Sequence, residues 1–171
     1  MHPILRIGLL LRQLQVVDTR KKFQKLVHIL QVMGAPYPES FDLNHYGAYS
    51  SELRAELDAF IIEGLVEETC SDEGNGVVSY SLRPTQRLID LVGEFPGPTE
   101  HEWLNWAKTL NRHNPTELEG ISTVLYLCQR GWPKAAWRKR FELIKPHLAD
   151  RYGSFEAKAT EMLALCGKHA A

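Results

Sequence analysis

Apolar side chains recur along most of this chain at intervals of three and four, and in one stretch at intervals of two. Ile4, Ile7, Leu11 and Leu14, with Leu10 beside them, form a helical stripe over residues 4–16. Asp18 or Thr19 can cap a second helix that runs to about Met33 and buries Phe23, Leu26, Val27 and Leu30. Gly34 ends it, and residues 35–38 form a Pro-stiffened connector. Residues 41–46 alternate as a short extended piece, Gly47 turns the chain, and Ser50 or Ser51 caps a third helix. That helix turns Leu53, Leu57, Phe60 and Ile61 to one face and stops at Gly64. The period then falls from 3.6 to 2. Residues 65–69 read as a strand, the polar run ending in Asn75-Gly76 as a hairpin turn, and Val78, Tyr80 and Leu82 as one face of the return strand. Pro84 fits the first turn of a fourth helix over residues 85–92.

Residues 95–99, Phe-Pro-Gly-Pro-Thr, mark the clearest boundary, and the period is helical beyond it. Thr99 can cap a helix containing Trp103, Leu104, Ala107 and Leu110. Asn114, Pro115 and Glu117 have the spacing of a capping box ahead of Leu118, Ile121, Leu125 and Cys128. Trp137, Phe141, Ile144 and Leu148 form a stripe that Pro146 interrupts, and Ser154 can cap a last helix. The fold class expected is mainly α: a winged-helix core with a small β-hairpin over residues 1–95, then a C-terminal helical bundle over 96–171 packed on it.

Composition narrows the class. The chain has 171 residues, 44% hydrophobic and 24% charged, enough for a real core. The longest apolar run, residues 7–11, is far too short to span a bilayer, so no membrane association and a cytoplasmic location are expected. Cys70, Cys128 and Cys166 are widely spaced and read as reduced thiols on buried faces. Net charge is −1, but residues 1–36 carry +5, residues 37–102 carry −11 and residues 103–171 carry +5.

No phosphate loop, nucleophile elbow or His/Cys set at metal-ligand spacing is present, so catalytic residues, metal ligands and cofactors are all expected to be none. His28 stands beside an apolar stripe, where a packed histidine is the commoner occupant. Residues 130–140, RGWPKAAWRKR, interleave Lys134, Arg138, Lys139 and Arg140 with tryptophans, a pattern that suits phosphates and stacked bases but also describes an ordinary solvated face. Arg20, Lys21, Lys22 and Lys25 form a second basic run and complete the candidate nucleic-acid residues. Tyr46 and Tyr49 flank Gly47, either as a recognition surface or, more commonly, as packing for the loop.

The segments KKFQKLVHILQ, FDLNHYGAYSSEL, FIIEGLVEE, ELEGISTVLYLCQRGW and LIKPHL, in that order, resemble the YwgA-like family of uncharacterised prokaryotic proteins. The resemblance runs from about Arg20 to about Leu163. It implies a winged-helix first half, distantly similar to the SocA-like (Panacea) antitoxin domains that neutralise toxins by protein contact. It transfers no catalytic residue. Gly47-Ala48-Tyr49-Ser50 departs from the family's Gly-Pro-Tyr-Ser, and Leu82-Arg83-Pro84 from its Leu-Thr-Pro.

Two roles follow. The first is a non-enzymatic adaptor or regulatory subunit that binds a protein partner; the alternative is a DNA-binding winged-helix transcriptional regulator. Charge separates them. Residues 50–68 hold six acids against Arg54 alone, and a helix reading the major groove should be basic. A protein partner, basic where it meets this face, is therefore expected on Tyr46, Tyr49, Ser50, Glu52, Glu56 and Asp58, with any nucleic-acid binding weak. The oligomeric state is left open.

Overall fold

The chain begins with helix α1 (Pro3–Leu14), whose inward stripe includes Ile7, Leu10 and Leu11. The computed structural model describes residues 1–44, 47–72, 78–96 and 100–167. A two-residue strand, β1 (Val17–Asp18), leads into α2 (Thr19–Val32). Thr19 has φ +68, and its hydroxyl accepts the Lys22 N–H at 3.2 Å, so Thr19 does the capping. A small hairpin follows, β2 (Asp42–Asn44) paired with β3 (Gly47–Tyr49), and then α3 (Ser51–Ile62). Ser50 caps α3 by accepting the Leu53 N–H at 3.2 Å.

Strands β4 (Val66–Asp72) and β5 (Val78–Pro84) form the expected antiparallel hairpin; its Asn75-Gly76 turn lies outside the described residues. Val17 pairs with Leu82 and Asp18 with Ser81, which gives a three-stranded sheet ordered β1-β5-β4. Pro84 ends β5 instead of opening a helix. Thr85 caps α4 (Gln86–Glu94), because its hydroxyl accepts the Leu88 N–H while its own N–H reaches the Leu65 carbonyl.

The second half holds α5 (Glu102–Asn111), α6 (Pro115–Gln129), α7 (Lys134–Ile144), a 3-10 turn (Pro146–Arg151) and α8 (Tyr152–Leu165). The capping box forms as expected: Asn114 Oδ1 accepts the Glu117 N–H at 2.9 Å and Glu117 Oε2 accepts the Asn114 N–H at 3.3 Å. Two caps differ. Thr99 lies outside the described residues, and α5 starts after His101; Ser154 lies inside α8, which continues directly from the 3-10 turn that Pro146 begins. The chain is thus mainly helical with a small antiparallel sheet.

Helix α2 lies at the centre, packed by α6, α5, β3 and β5. One cluster of buried side chains joins both halves, from Ile7 and Phe23 to Ile121, Trp137 and Phe155. Where α6 crosses α8, the bare backbone of Gly120 lies on the Phe155 ring. Among the described residues no disulfide forms; Cys128 and Cys166 are half-buried, but Cys70 is exposed on the hairpin, where alternate positions face solvent. Among the described residues no helix is long and apolar enough to cross a membrane.

Candidate functional site

Residues 22–30 of α2 are all buried, so the polar ones must find partners inside the protein. Gln24 does so through both ends of its amide. Its Oε1 accepts the Ser50 N–H and its Nε2 donates to the Ser50 carbonyl, each at 2.9 Å, which fastens the start of α3 to α2. One turn further on, His28 lies 2.8 Å from Ser122 Oγ through Nδ1 and 3.0 Å from Gln129 Oε1 through Nε2. Burial pushes its pKa down to about 4. It is a packed neutral imidazole, as expected.

Lys25 lies between these two. It is 4% exposed, and its ammonium donates to the Ala48 carbonyl in β3. Gly47 lets the chain turn beside it. Its φ is +90, and a Cβ there would be in ordinary contact with its neighbours, 3.4 Å from Thr123 Oγ1 and 3.5 Å from Lys25 Cε. Behind β3, the fully buried Lys145 pairs with Glu119 at 2.6 Å.

Lys25 lines a cavity of about 340 Å³ between α2, the β2–β3 hairpin and α3. Arg20, Lys21 and Arg54 line it as well, with Asn44 as a polar wall and Tyr49 and Leu57 as apolar ones. Its four cations are not equivalent. Arg20 is committed: Nε and Nη2 grip Glu68 at 2.7 and 2.8 Å, and Nη1 bonds Asp58, so this guanidinium ties α2 to α3 and β4. Arg54 is largely exposed, 3.6 Å from Asp58 and 3.5 Å from the Tyr49 hydroxyl. Lys25 has no carboxylate at ion-pairing distance among the described residues. Burial lowers its pKa to about 8; Glu119 opposes the shift, and Lys145 and Lys21 add to it. A desolvated ammonium beside an open cavity stabilises an entering anion.

The structure redistributes the residues singled out from sequence. Arg20, Lys21 and Lys25, read as nucleic-acid residues, share this cavity with Tyr49, read as a partner residue. Lys22 does not join them. It is buried at 4% exposure, bonded to the Asn111 carbonyl at 2.8 Å and Asp18 at 3.2 Å, because the α2 face it occupies lies against the end of α5. Ser50 is buried as a cap, and Tyr46 lies outside the described residues.

The acidic side of α3, expected to meet a basic partner, is partly engaged within the fold, while Glu52 stays exposed. Glu56 accepts from Arg6 at 2.6 Å, Asp58 from Arg20, and Glu52 from the Ser40 N–H at 2.8 Å. Arg6 is itself 3% exposed and holds Glu39 at 2.5 Å, so the acids neutralise arginines of α1 and α2. In the second basic patch Arg138 pairs with Glu142 at 2.9 Å, and Arg140 lies 3.1 Å over the Trp132 ring. Lys134 and Lys139 are exposed, while Trp137 is core, its Nε1 donating to the Trp132 carbonyl at 2.7 Å. Sequence reasoning missed Arg54, Asn44 and Leu57 as cavity residues. The pairing of Tyr49 with Arg54, five positions apart across a cap, was the available signal.

No family model matches the chain. It is similar to "Uncharacterized protein YwgA" of Bacillus subtilis (strain 168), 29% identical over 108 residues. The match spans 63% of this chain and 63% of the relative, just under two thirds of the relative's length.

Proposed function

We propose that this chain is a non-enzymatic adaptor or regulatory subunit on a winged-helix plan, and that it grips an anionic element of a protein partner in the cavity between α2, β3 and α3. The observation that carries this is Lys25, a buried ammonium that borders an open cavity with a carbonyl and no carboxylate as its direct partner among the described residues. A fold retains such a charge at a cost in stability when something that binds compensates it. The winged-helix plan is supported by the order of α1, β1, α2, α3 and the β4–β5 hairpin, with the small β2–β3 hairpin inserted before α3, and by β1 pairing the return strand. The partner's contact element at this cavity is acidic, because Lys21, Lys25 and Arg54 line it and, among the described residues, no carboxylate does.

The second reading, a DNA-binding regulator, draws on the same element order and on Arg20 and Lys21, which also line a concavity with Tyr80 beside the hairpin. Against it, α3 presents Glu52 and Glu63 to solvent, where phosphate would be repelled. Native purification from the source cell is the test. The expected result is a stoichiometric polypeptide that is lost when Lys25→Met and Arg54→Ala are combined. Co-purifying nucleic acid with no such polypeptide overturns the adaptor reading in favour of the second.

A further inference from the structure

The donor arrangement narrows which anion the cavity recognises. The Lys25 ammonium has three protons and, among the described residues, spends one on Ala48. Glu119, the carboxylate that offsets its charge, is already paired with Lys145 at 2.6 Å. Among the described residues no carboxylate lines the cavity; Glu68 is held by Arg20, and Asp58 is shared between Arg20 and, at 3.6 Å, Arg54. Arg54 approaches from a different helix and offers a planar fork of donors from the solvent side, with Lys21 on the outer turn of α2. The amide of Gln24 is closed to ligands because both its ends bond Ser50. Cations from two helices therefore line one cavity whose exposed wall is otherwise mostly apolar, with the Tyr49 ring and Leu57 in it.

A carboxylate offers two oxygens in one plane. A terminal phosphoryl group offers three, spread as a tripod, and carries close to two negative charges at neutral pH. Resting on the anion-site reading above, we propose that this cavity is a receptor for the phosphoryl group of a phosphate monoester, whose carbon-bearing body lies against Tyr49 and Leu57. Lys25 and Arg54 hold the phosphoryl oxygens, and Arg20 is a positioning residue that keeps α3 and the hairpin in place. About 340 Å³ is within the range of small-molecule sites and too small for a folded domain, so the ligand is a free monoester or one phosphorylated side chain of a partner.

The test measures thermal stabilisation of the full chain and direct binding by calorimetry, at constant ionic strength, with four probes: inorganic phosphate, a nucleoside monophosphate, a phosphoserine peptide, and an Asp/Glu-rich peptide of the same length. The phosphate probes are expected to bind, and Lys25→Met to weaken them roughly ten- to a hundredfold while the protein stays folded. Arg54→Lys, which keeps the charge but loses the fork, should weaken them less than Arg54→Ala. Stronger binding of the nucleoside monophosphate assigns the site to a free small molecule; stronger binding of the phosphoserine peptide assigns it to a modified partner. If the acidic peptide binds and the phosphates do not, the phosphoryl assignment is overturned while the anionic-partner reading stands. If nothing binds and Lys25→Met captures partners as well as the native chain, both fall.

Discussion

Replacing Lys25 by Met removes a buried charge while keeping most of its volume, and the outcome can be worked from the structure. Burial lowers the ammonium pKa from 10.5 to about 8, which corresponds to about 3 kcal/mol of stability forfeited while the group is charged. The variant recovers that amount but leaves the Ala48 carbonyl without its donor, at a cost of about 1–3 kcal/mol. The expected net effect at pH 7 runs from no change to a gain of about 2 kcal/mol, or up to roughly 6 °C in Tm for a chain of this size. The pH dependence has a definite sign. Between about pH 8 and 10.5 the unfolded native chain binds the proton that the folded one has lost, so native stability rises through that window. The Met variant lacks this rise, so its advantage is greatest below pH 8 and shrinks by pH 10. Urea unfolding at pH 7 and pH 10, followed by tryptophan fluorescence, measures both. A loss of more than about 2 kcal/mol at pH 7 would mean that the ammonium is a structural tie and not a charge kept for a ligand.

Four further outcomes follow from the buried polar groups and the helix packing. His28, held near pKa 4, must stay neutral in the folded state, so stability is fully present above pH 6.5 and falls by about 3 kcal/mol as pH drops through 4; urea midpoints between pH 4 and 7 should flatten in His28→Gln. Burial and the neighbouring Glu39 raise the Glu56 pKa, so its ionisation costs stability as pH rises; Glu56→Gln should match the native chain in acid and exceed it at pH 8, and the reverse trend in urea unfolding would refute the shared Arg6 site. Glu119→Gln removes a charge partner of the fully buried Lys145 and should cost about 3 kcal/mol in urea unfolding. Gly120→Ala drives a methyl into the buried Phe155 ring and should cost about 1–3 kcal/mol, seen as a lowered Tm.

Much of the fold was legible because its signals are local. The capping residues Asn114 and Glu117, the return to period 2 around the hairpin, and the α3 stripe of Leu53, Leu57 and Phe60 each need only near neighbours, and each forms. Strand β1 was not legible, because two residues carry no period and exist only through pairing with Leu82 and Ser81. The candidate site was half legible. Arg20, Lys21 and Lys25 stood out as a basic run, but a run of charge on a helix is usually solvated, and only the central placement of α2 buries Lys22 and Lys25. The ion pairs of α3 were not legible for the same reason: Arg6 and Arg20, the partners of Glu56 and Asp58, lie 50 and 38 positions away.

An ammonium left for an anion to complete reports that role in its own titration, and Lys25 is such a group. With the lysine side chains labelled, the Lys25 signal can be assigned by comparison with Lys25→Met and followed by NMR from pH 6 to 11, with and without inorganic phosphate. The expected result is a midpoint near 8 in the free protein that moves upward when phosphate is present, because the bound anion stabilises the charged form. A midpoint near the ordinary 10.5 in the free protein, unmoved by phosphate, would contradict it.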